Sequence, residues 1–500
     1  MTNFTPFLSK SRFIKGMQCH KALWFQTHRP ELKQETPPNI QAIFDTGHEI
    51  GTLAQQLFPG GVEIPFDGVT LSDQIEQTRN LIESGTETIY EAAFSHDNIF
   101  VKADILHRTT NGWKLAEVKS STKAKDVYIN DVAVQYHVIS GCGIPVSTAG
   151  LVLINTSYVK NGAIEPHKLF KWIEVTNEVV ARQEAIIAEA QAQRTMLCGG
   201  EPLIEIGPHC SSPYECDYAY HCWQHIPHNS VFDFGDCGRP NSFEHYRQGI
   251  IKMEDVPRAS LGWRQQLQLD GTLQQKNHVN QDAIRKFLES LSYPLYFMDF
   301  ETTCLLPLPP YDGVRPYQQA PFQFSLHWQE SAEAPLQHAE FLGNPDEDPH
   351  ESFLSTLLTA IPENACILTW NQVFEKMILR NLSLKFPDYA QEINMMRDNI
   401  RDLMIPFRQK HIYHRHFSGK YSLKSVLPVL IPDMDYDALD ICDGQMASDC
   451  WMRMVHSTSA EERQIISEQL LTYCHQDTLA MVKILERMRE IVLMPEDSFH

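Results

Sequence analysis

An apolar, aromatic run, Leu295-Tyr296-Phe297-Met298-Asp299-Phe300-Glu301-Thr302-Thr303, carries two carboxylates on alternate residues. A run of this length and composition reads as a buried strand. Residues two apart in a strand share a face, so Asp299 and Glu301 project together. Two like charges held there repel unless a cation sits between them, and an all-oxygen ligand set suits Mg²⁺ or Mn²⁺. A solvated strand edge is the alternative. The flanking Tyr296, Phe297, Met298 and Phe300 argue against it, because carboxylates are rarely buried without a partner.

Five hundred residues imply more than one domain around this strand. No apolar run reaches the roughly 18 residues of a membrane span, and the N-terminus lacks the basic and apolar regions of a signal peptide. A cytoplasmic protein without membrane contact is expected. The net charge of −21 argues against unspecific polyanion binding over the whole surface, while leaving room for nucleic acid held by local basic strips. In a reducing compartment the 12 cysteines are candidates for metal ligation, not a disulfide framework.

In the N-terminal half, helical patterns run from Ser9 to about Phe25, from Ile40 to Leu57 and from Leu71 to Ile82. The period then shortens to that of strands at 88–94, 99–106 and 113–118, followed by a helix at 127–139 and a strand at 148–154. Asp104 lies in the second of these strands, and Glu117 and Lys119 share a face of the third. Adjacent hairpin strands can bring Asp104 beside them. Two carboxylates would hold a divalent ion, and the lysine would orient or deprotonate the attacking water or stabilise the charge developing on a phosphate. Gln135-Tyr136 in the next helix adds to this pattern.

Cys210, Cys216 and Cys222 follow at even spacing in a loop rich in Pro and Tyr, and Cys19 supplies a fourth thiol from the other end of the domain. Four thiolates suit either Zn²⁺ or an iron–sulfur cluster. Taken together, Cys19, His48 in a helix, Asp104, Glu117-x-Lys119, Gln135 and the three closing cysteines resemble the RecB-type PD-(D/E)XK exonucleases. The likeness is to their iron–sulfur branch, found in CRISPR adaptation and in helicase–nuclease complexes. It covers roughly residues 8–225. It implies a restriction-endonuclease-like fold, a 4Fe–4S cluster on Cys19, Cys210, Cys216 and Cys222 (Zn²⁺ being the alternative), and a catalytic metal held by His48, Asp104 and Glu117, with Lys119 completing the site.

Residues 229–290 read as a structured connector between a domain at 1–228 and one at 291–500. In the latter, strands are expected near 322–328, 339–342 and 366–370, with helices at 350–360, up to Leu382 and over 460–488. Glu375 follows the third strand, and Tyr473 and Asp477 lie four apart on one helix face. Asp299, Glu301, Glu375 and Asp477 could thus hold two metals for phosphodiester hydrolysis, with Tyr473 positioning the water. Asp-x-Glu, then Asn-x3-acid, then Tyr-x3-Asp resembles the Tyr-type DEDD exonucleases of the ribonuclease H-like fold. Glu375 stands where that family has Asp. The two-part arrangement is similar to a bacterial family of RecB-type nucleases carrying a C-terminal domain of unknown function.

Basic and aromatic residues interleave from Arg408 to Lys424, and Lys410, Arg415, Lys420 and Lys424 are candidates for binding nucleic acid. The expectation is a metal-dependent nuclease, an exonuclease in character, acting on DNA ends or single strands in repair or defence. The alternatives are a nucleic-acid-binding scaffold with one degenerate site, or an RNA-processing nuclease. No phosphate-binding Gly-Lys-Ser/Thr loop is present, so any unwinding would come from a helicase or defence-system partner.

Overall fold

A computed structural model describes residues 7–34, 38–235, 239–495 and 499, with the side chains of 38–45 and 239–240 outside that description. The chain is mixed α/β and forms two compact units, Met1–Ile226 and Pro227–His500.

The first unit is built on a mixed sheet of seven strands: β1 (Leu8–Ser9), β2 (Val62–Glu63), β3 (Thr88–His96), β4 (Ile99–Thr109), β5 (Gly112–Lys119), β6 (Val146–Ile154) and β7 (Phe170–Glu174). Strands β2 to β7 lie in sequence order, and β1 pairs in parallel with the start of β4. The β3–β4 hairpin turns on Asp97 and Asn98, both left-handed (φ 52° and 57°), a pairing that matches the twist of the flanking strands. Helix α1 (Lys10–Gln18) is capped by Ser9, whose hydroxyl accepts from Arg12 N. It is followed by α2 (His20–His28), α3 (Pro38–Gln55) and α4 (Leu71–Glu83). The expected single helix from Ser9 to Phe25 is in fact two. Cys19 sits between α1 and α2 in extended backbone (φ −161°, ψ 115°), which ends the first helix and starts the second. Helix α5 (Asp126–Gly141) is buried on most sides, with Val132, Ala133, Val134 and Val138 in the core of the unit.

The second unit holds a five-stranded mixed sheet: β8 (Leu295–Thr302), β9 (Pro321–Gln329), β10 (Gln337–Leu342), β11 (Cys366–Thr369) and β12 (Ile400–Asp402). The order is β10-β9-β8-β11-β12, the first two contacts antiparallel and the last two parallel. Strand β8 is central and apolar on both faces. Leu295 and Phe297 enter one core cluster, while Tyr296, Met298 and Phe300 enter the other. Helices α6 (His350–Ala360) and α7 (Val373–Lys385) cover the second face; α8 (Gly444–His456) and the 34-residue α9 (Ala460–Leu493) cover the first. Asp299 and Glu301 continue the Leu295–Phe297 face, so they point toward α9. Residues 229–290 belong to this unit. They hold a small core of Val231, Phe234, Met253, Val256, Leu261 and Leu269, and His278–Val279 pairs with Ile412–Tyr413. Among the described residues, no helix is long and apolar enough to cross a membrane.

Candidate active sites and metal centres

In the first unit, β4 and β5 bring Asp104 and Glu117 together. Asp104 Oδ2 accepts from Val118 N at 2.7 Å. Glu117 is buried, and its Oε1 accepts from Lys119 Nζ and Lys10 Nζ, both at 2.8 Å, while Oε2 accepts from Gln135 Nε2 at 2.6 Å. Lys119 Nζ also lies 2.7 Å from Asp131, one helical turn before Gln135 on α5. Burial would raise the Glu117 pKa, yet Lys10 and Lys119 hold it down at about 2. Asp104 is pushed up to about 7 by burial and by Glu117, against the pull of the two lysines. Lys119 is driven the other way from its burial, held well above its ordinary value by Glu117, Asp131 and Asp104. The charges balance only because they are tightly packed, an arrangement typical of sites that handle ions.

Asp104, Glu117, Lys119 and Gln135 are thus brought together as the spacing suggested. His48 is not: it is exposed on α3 and joins no close ligand set with Asp104 and Glu117 among the described residues. Lys10, Asp131 and Glu91 were missed. Glu91 stands on β3 in the left-handed region (φ 54°), unusual for a non-glycine strand residue, and burial raises its pKa against the pull of Lys102 and Lys10. A carboxylate and an amide one turn apart, both buried on α5, were the legible signal for Asp131. Lys10 carried none.

Cys19, Cys210, Cys216 and Cys222 line one pocket with Phe25 and Tyr218. The closing loop is folded by its own backbone, Cys216 N donating to Cys210 O at 2.9 Å, and Gln18 Nε2 ties α1 to it through His209 O and Tyr214 O, both at 2.7 Å. Burial raises the pKa of Cys19 and Cys222 and takes Cys216 to about 11, with the neighbouring thiols adding to the shift. Cys19, Cys216 and Cys222 thus resist ionisation where they line the pocket, and a bound metal is what turns such thiols into thiolates.

In the second unit, ligand atoms of Asp299, Glu301 and Cys474 lie within 4.8 Å of one another. Asp477 accepts a hydrogen bond from the Tyr436 hydroxyl, and Lys424 Nζ lies 3.1 Å from Tyr473 Oη. Asp299 and Glu301 are both raised well above the carboxylate range by burial and then by Asp477. Asp477 itself rises to about 6 through burial, restrained by Tyr436, Lys424 and Tyr473. Glu375, in the first turn of α7, is buried with Oε2 lacking a hydrogen-bond partner, and burial pushes its pKa to about 8. Its charge reaches Asp299 and Glu301, although it does not belong to their close set. Asp402, at the end of β12, was missed; its Oδ1 accepts from Asn371 N at 3.1 Å and Met404 N at 3.0 Å.

The basic segment divides. Lys410 is buried, its ammonium 3.3 Å from Gly419 O and beside the rings of Tyr413 and Tyr421, so it is a core residue and not a phosphate contact. Arg415 Nη1 donates to Gln275 O at 3.2 Å. Lys420 is exposed. Lys424 is drawn into the acidic site, where it lowers the pKa of Asp477 and Glu301. Tyr436, which no spacing singled out, completes that site.

No curated protein matches the chain. Residues 296–422 are similar to a family described as a domain of unknown function, DUF2779, a span that takes in Asp299, Glu301, Glu375 and the basic segment as far as Ser422 but stops short of Lys424, Tyr473 and Asp477.

Proposed function

We propose that the chain is a metal-dependent nuclease, acting as an exonuclease on DNA ends or single strands, with a PD-(D/E)XK-like first unit and a ribonuclease H-like DEDD second unit. The observation that carries this is the buried negative charge around Asp299. Asp299, Glu301, Glu375 and Asp477 come from three separate motifs, and Lys424 is the ammonium that acts on Glu301 and Asp477. Such a set is unfavourable until protons or divalent cations offset it.

Mg²⁺ or Mn²⁺ would be held by these four carboxylates and, in the first unit, by Asp104 and Glu117. The chemistry such ions supply is polarisation of the phosphodiester and acidification of water. Lys119, kept protonated between Glu117 and Asp131, acts as a fixed positive charge toward a phosphate accumulating negative charge, not as the base. Tyr473 stays a phenol, since burial and Asp477 raise its pKa, and it orients water by hydrogen bonding. The four cysteines would hold a 4Fe–4S cluster, or Zn²⁺, as a staple between the ends of the first unit.

End-labelled single- and double-stranded DNA and RNA, digested with Mg²⁺ or Mn²⁺, test the reading. Lys119→Ala and Asp299→Ala should each remove one activity, and the double variant both. Wild-type degradation by the double variant would exclude these sites. Glu375, standing where the resembling exonucleases have Asp and lying outside the close set of Asp299 and Glu301, favours a second reading, in which the second unit binds nucleic acid as a scaffold without cutting it.

A further inference from the structure

The sheet face that carries Asp299 carries a second cluster that no nuclease chemistry requires. His327 on β9 and His338 on β10 are direct cross-strand neighbours, and His475 on α9 comes down onto both. The three rings form a nearly equilateral triangle, with centroids 4.5, 4.5 and 4.8 Å apart. One nitrogen from each lies within 4.8 Å of the other two. His327 is buried, His475 half-buried and His338 exposed, so the cluster opens to solvent on one side.

Hydroxyl groups hold the rings from behind. His327 Nδ1 lies 2.8 Å from Thr478 Oγ1, leaving Nε2 to face the cluster. Ser325 Oγ lies 3.1 Å from His338 Nε2 and 2.7 Å from Thr478 Oγ1, and Glu340 Oε2 stands 3.8 Å from His338 Nε2 at the rim. Partners of this kind fix the ring orientation and tautomer of metal-binding histidines. Three imidazoles gathered around one point, with an open side and a carboxylate nearby, are a nitrogen donor set. Borderline ions such as Zn²⁺ favour it, and Mg²⁺ does not.

We propose that His327, His338 and His475 form a binding site for a Zn²⁺-type transition-metal ion, separate from the carboxylate site, that clamps α9 to the β9–β10 pair. His475 lies between Tyr473 and Asp477 on α9, so a bound ion would fix the rotation of the helix that delivers both. That consequence rests on the nuclease reading; the binding itself does not.

The 500-residue chain, stripped with chelator, would be titrated with Co²⁺ and then Zn²⁺. The expected result is one Co²⁺ with visible d–d absorption of nitrogen and oxygen ligation, displaced by Zn²⁺; thiolate-to-cobalt bands in the near-ultraviolet would report the cysteine pocket instead. His338→Ala and His475→Ala should each weaken this binding about 100-fold or more, and the exposed His338 permits that change without loss of fold, checked by circular dichroism. Asp299→Ala should leave the band in place, whether or not any nuclease activity exists. No nitrogen-type band in the wild type, an unchanged band in both histidine variants, or its loss in folded Asp299→Ala would each overturn the proposal.

Discussion

Lys10, the first residue of the first helix, donates to Glu117 Oε1 at 2.8 Å, sharing that oxygen with Lys119. Two ammonium groups on one carboxylate oxygen hold Glu117 ionised despite its burial. Lys10→Met should therefore raise the Glu117 pKa. In an Asp299→Ala background, the acid limb of the pH–rate profile should move to higher pH, with a rate loss of about tenfold, or about 1.4 kcal/mol. A profile superimposable on that of the parent would mean that Lys10 has no part in the site.

Anaerobic purification should yield about four irons per chain with broad visible absorbance. Cys216→Ser should lose that iron and lower the thermal midpoint of unfolding, because the proposed centre would join α1–α2 to the closing loop. Elemental analysis of the two proteins decides the matter. Loss of one zinc per chain in place of iron would assign Zn²⁺ to the pocket.

The acidic site makes stability fall with pH when divalent ions are removed. A carboxyl group whose pKa is raised by folding binds its proton more tightly in the folded chain, so its contribution is lost as pH rises through the folded value. Asp477 (from 3.8 to about 6) and Glu375 (from 4.5 to about 8) place the loss between about pH 4 and pH 8. Differential scanning fluorimetry in chelator should show it, and Mn²⁺ should reverse it. Asp299→Asn relieves part of the repulsion and should raise the chelated protein's stability at pH 8 by on the order of 1 kcal/mol. A variant less stable than the wild type under those conditions would contradict this account.

Glu375 decides whether the second unit cuts. In a Lys119→Ala background, Glu375→Asp should keep or raise activity, since the charge remains. Glu375→Gln keeps the size and loses the charge, and should cost about a thousandfold in rate. Equal rates for Glu375→Gln and its parent would leave the second unit as a binding scaffold.

Lys410 and Lys420 should behave differently although they lie ten residues apart. Lys410→Ala removes a buried ammonium from Gly419 O and two rings, and should lower stability by about 1–3 kcal/mol in chemical denaturation. Lys420→Ala should leave stability unchanged, weaken single-strand binding and reduce the slope of log K against log salt by about 0.7. Salt-dependent fluorescence anisotropy distinguishes the two outcomes.

What the sequence determined by itself was local and periodic. The alternation that puts Asp299 and Glu301 on one face, the hairpin breaks at 97–98 and 111–112, the Glu117–Lys119 pair and the Tyr473–Asp477 turn are all set by backbone repeats of two or about four residues. Helix His350–Ala360 and the strands around both sites were legible for the same reason. Groups whose roles depend on distant parts of the chain were not. Lys10 reaches Glu117 across 107 residues, Tyr436 reaches Asp477 across 41, and His327 and His338 meet His475 only because α9 lies on β9 and β10. Burial was equally hidden. Lys410 and Lys420 look alike in a basic run, and the tertiary fold alone put one in the core and left the other in water, where a phosphate can reach it. Local propensity is written residue by residue, whereas desolvation and charge pairing exist only once remote segments have packed.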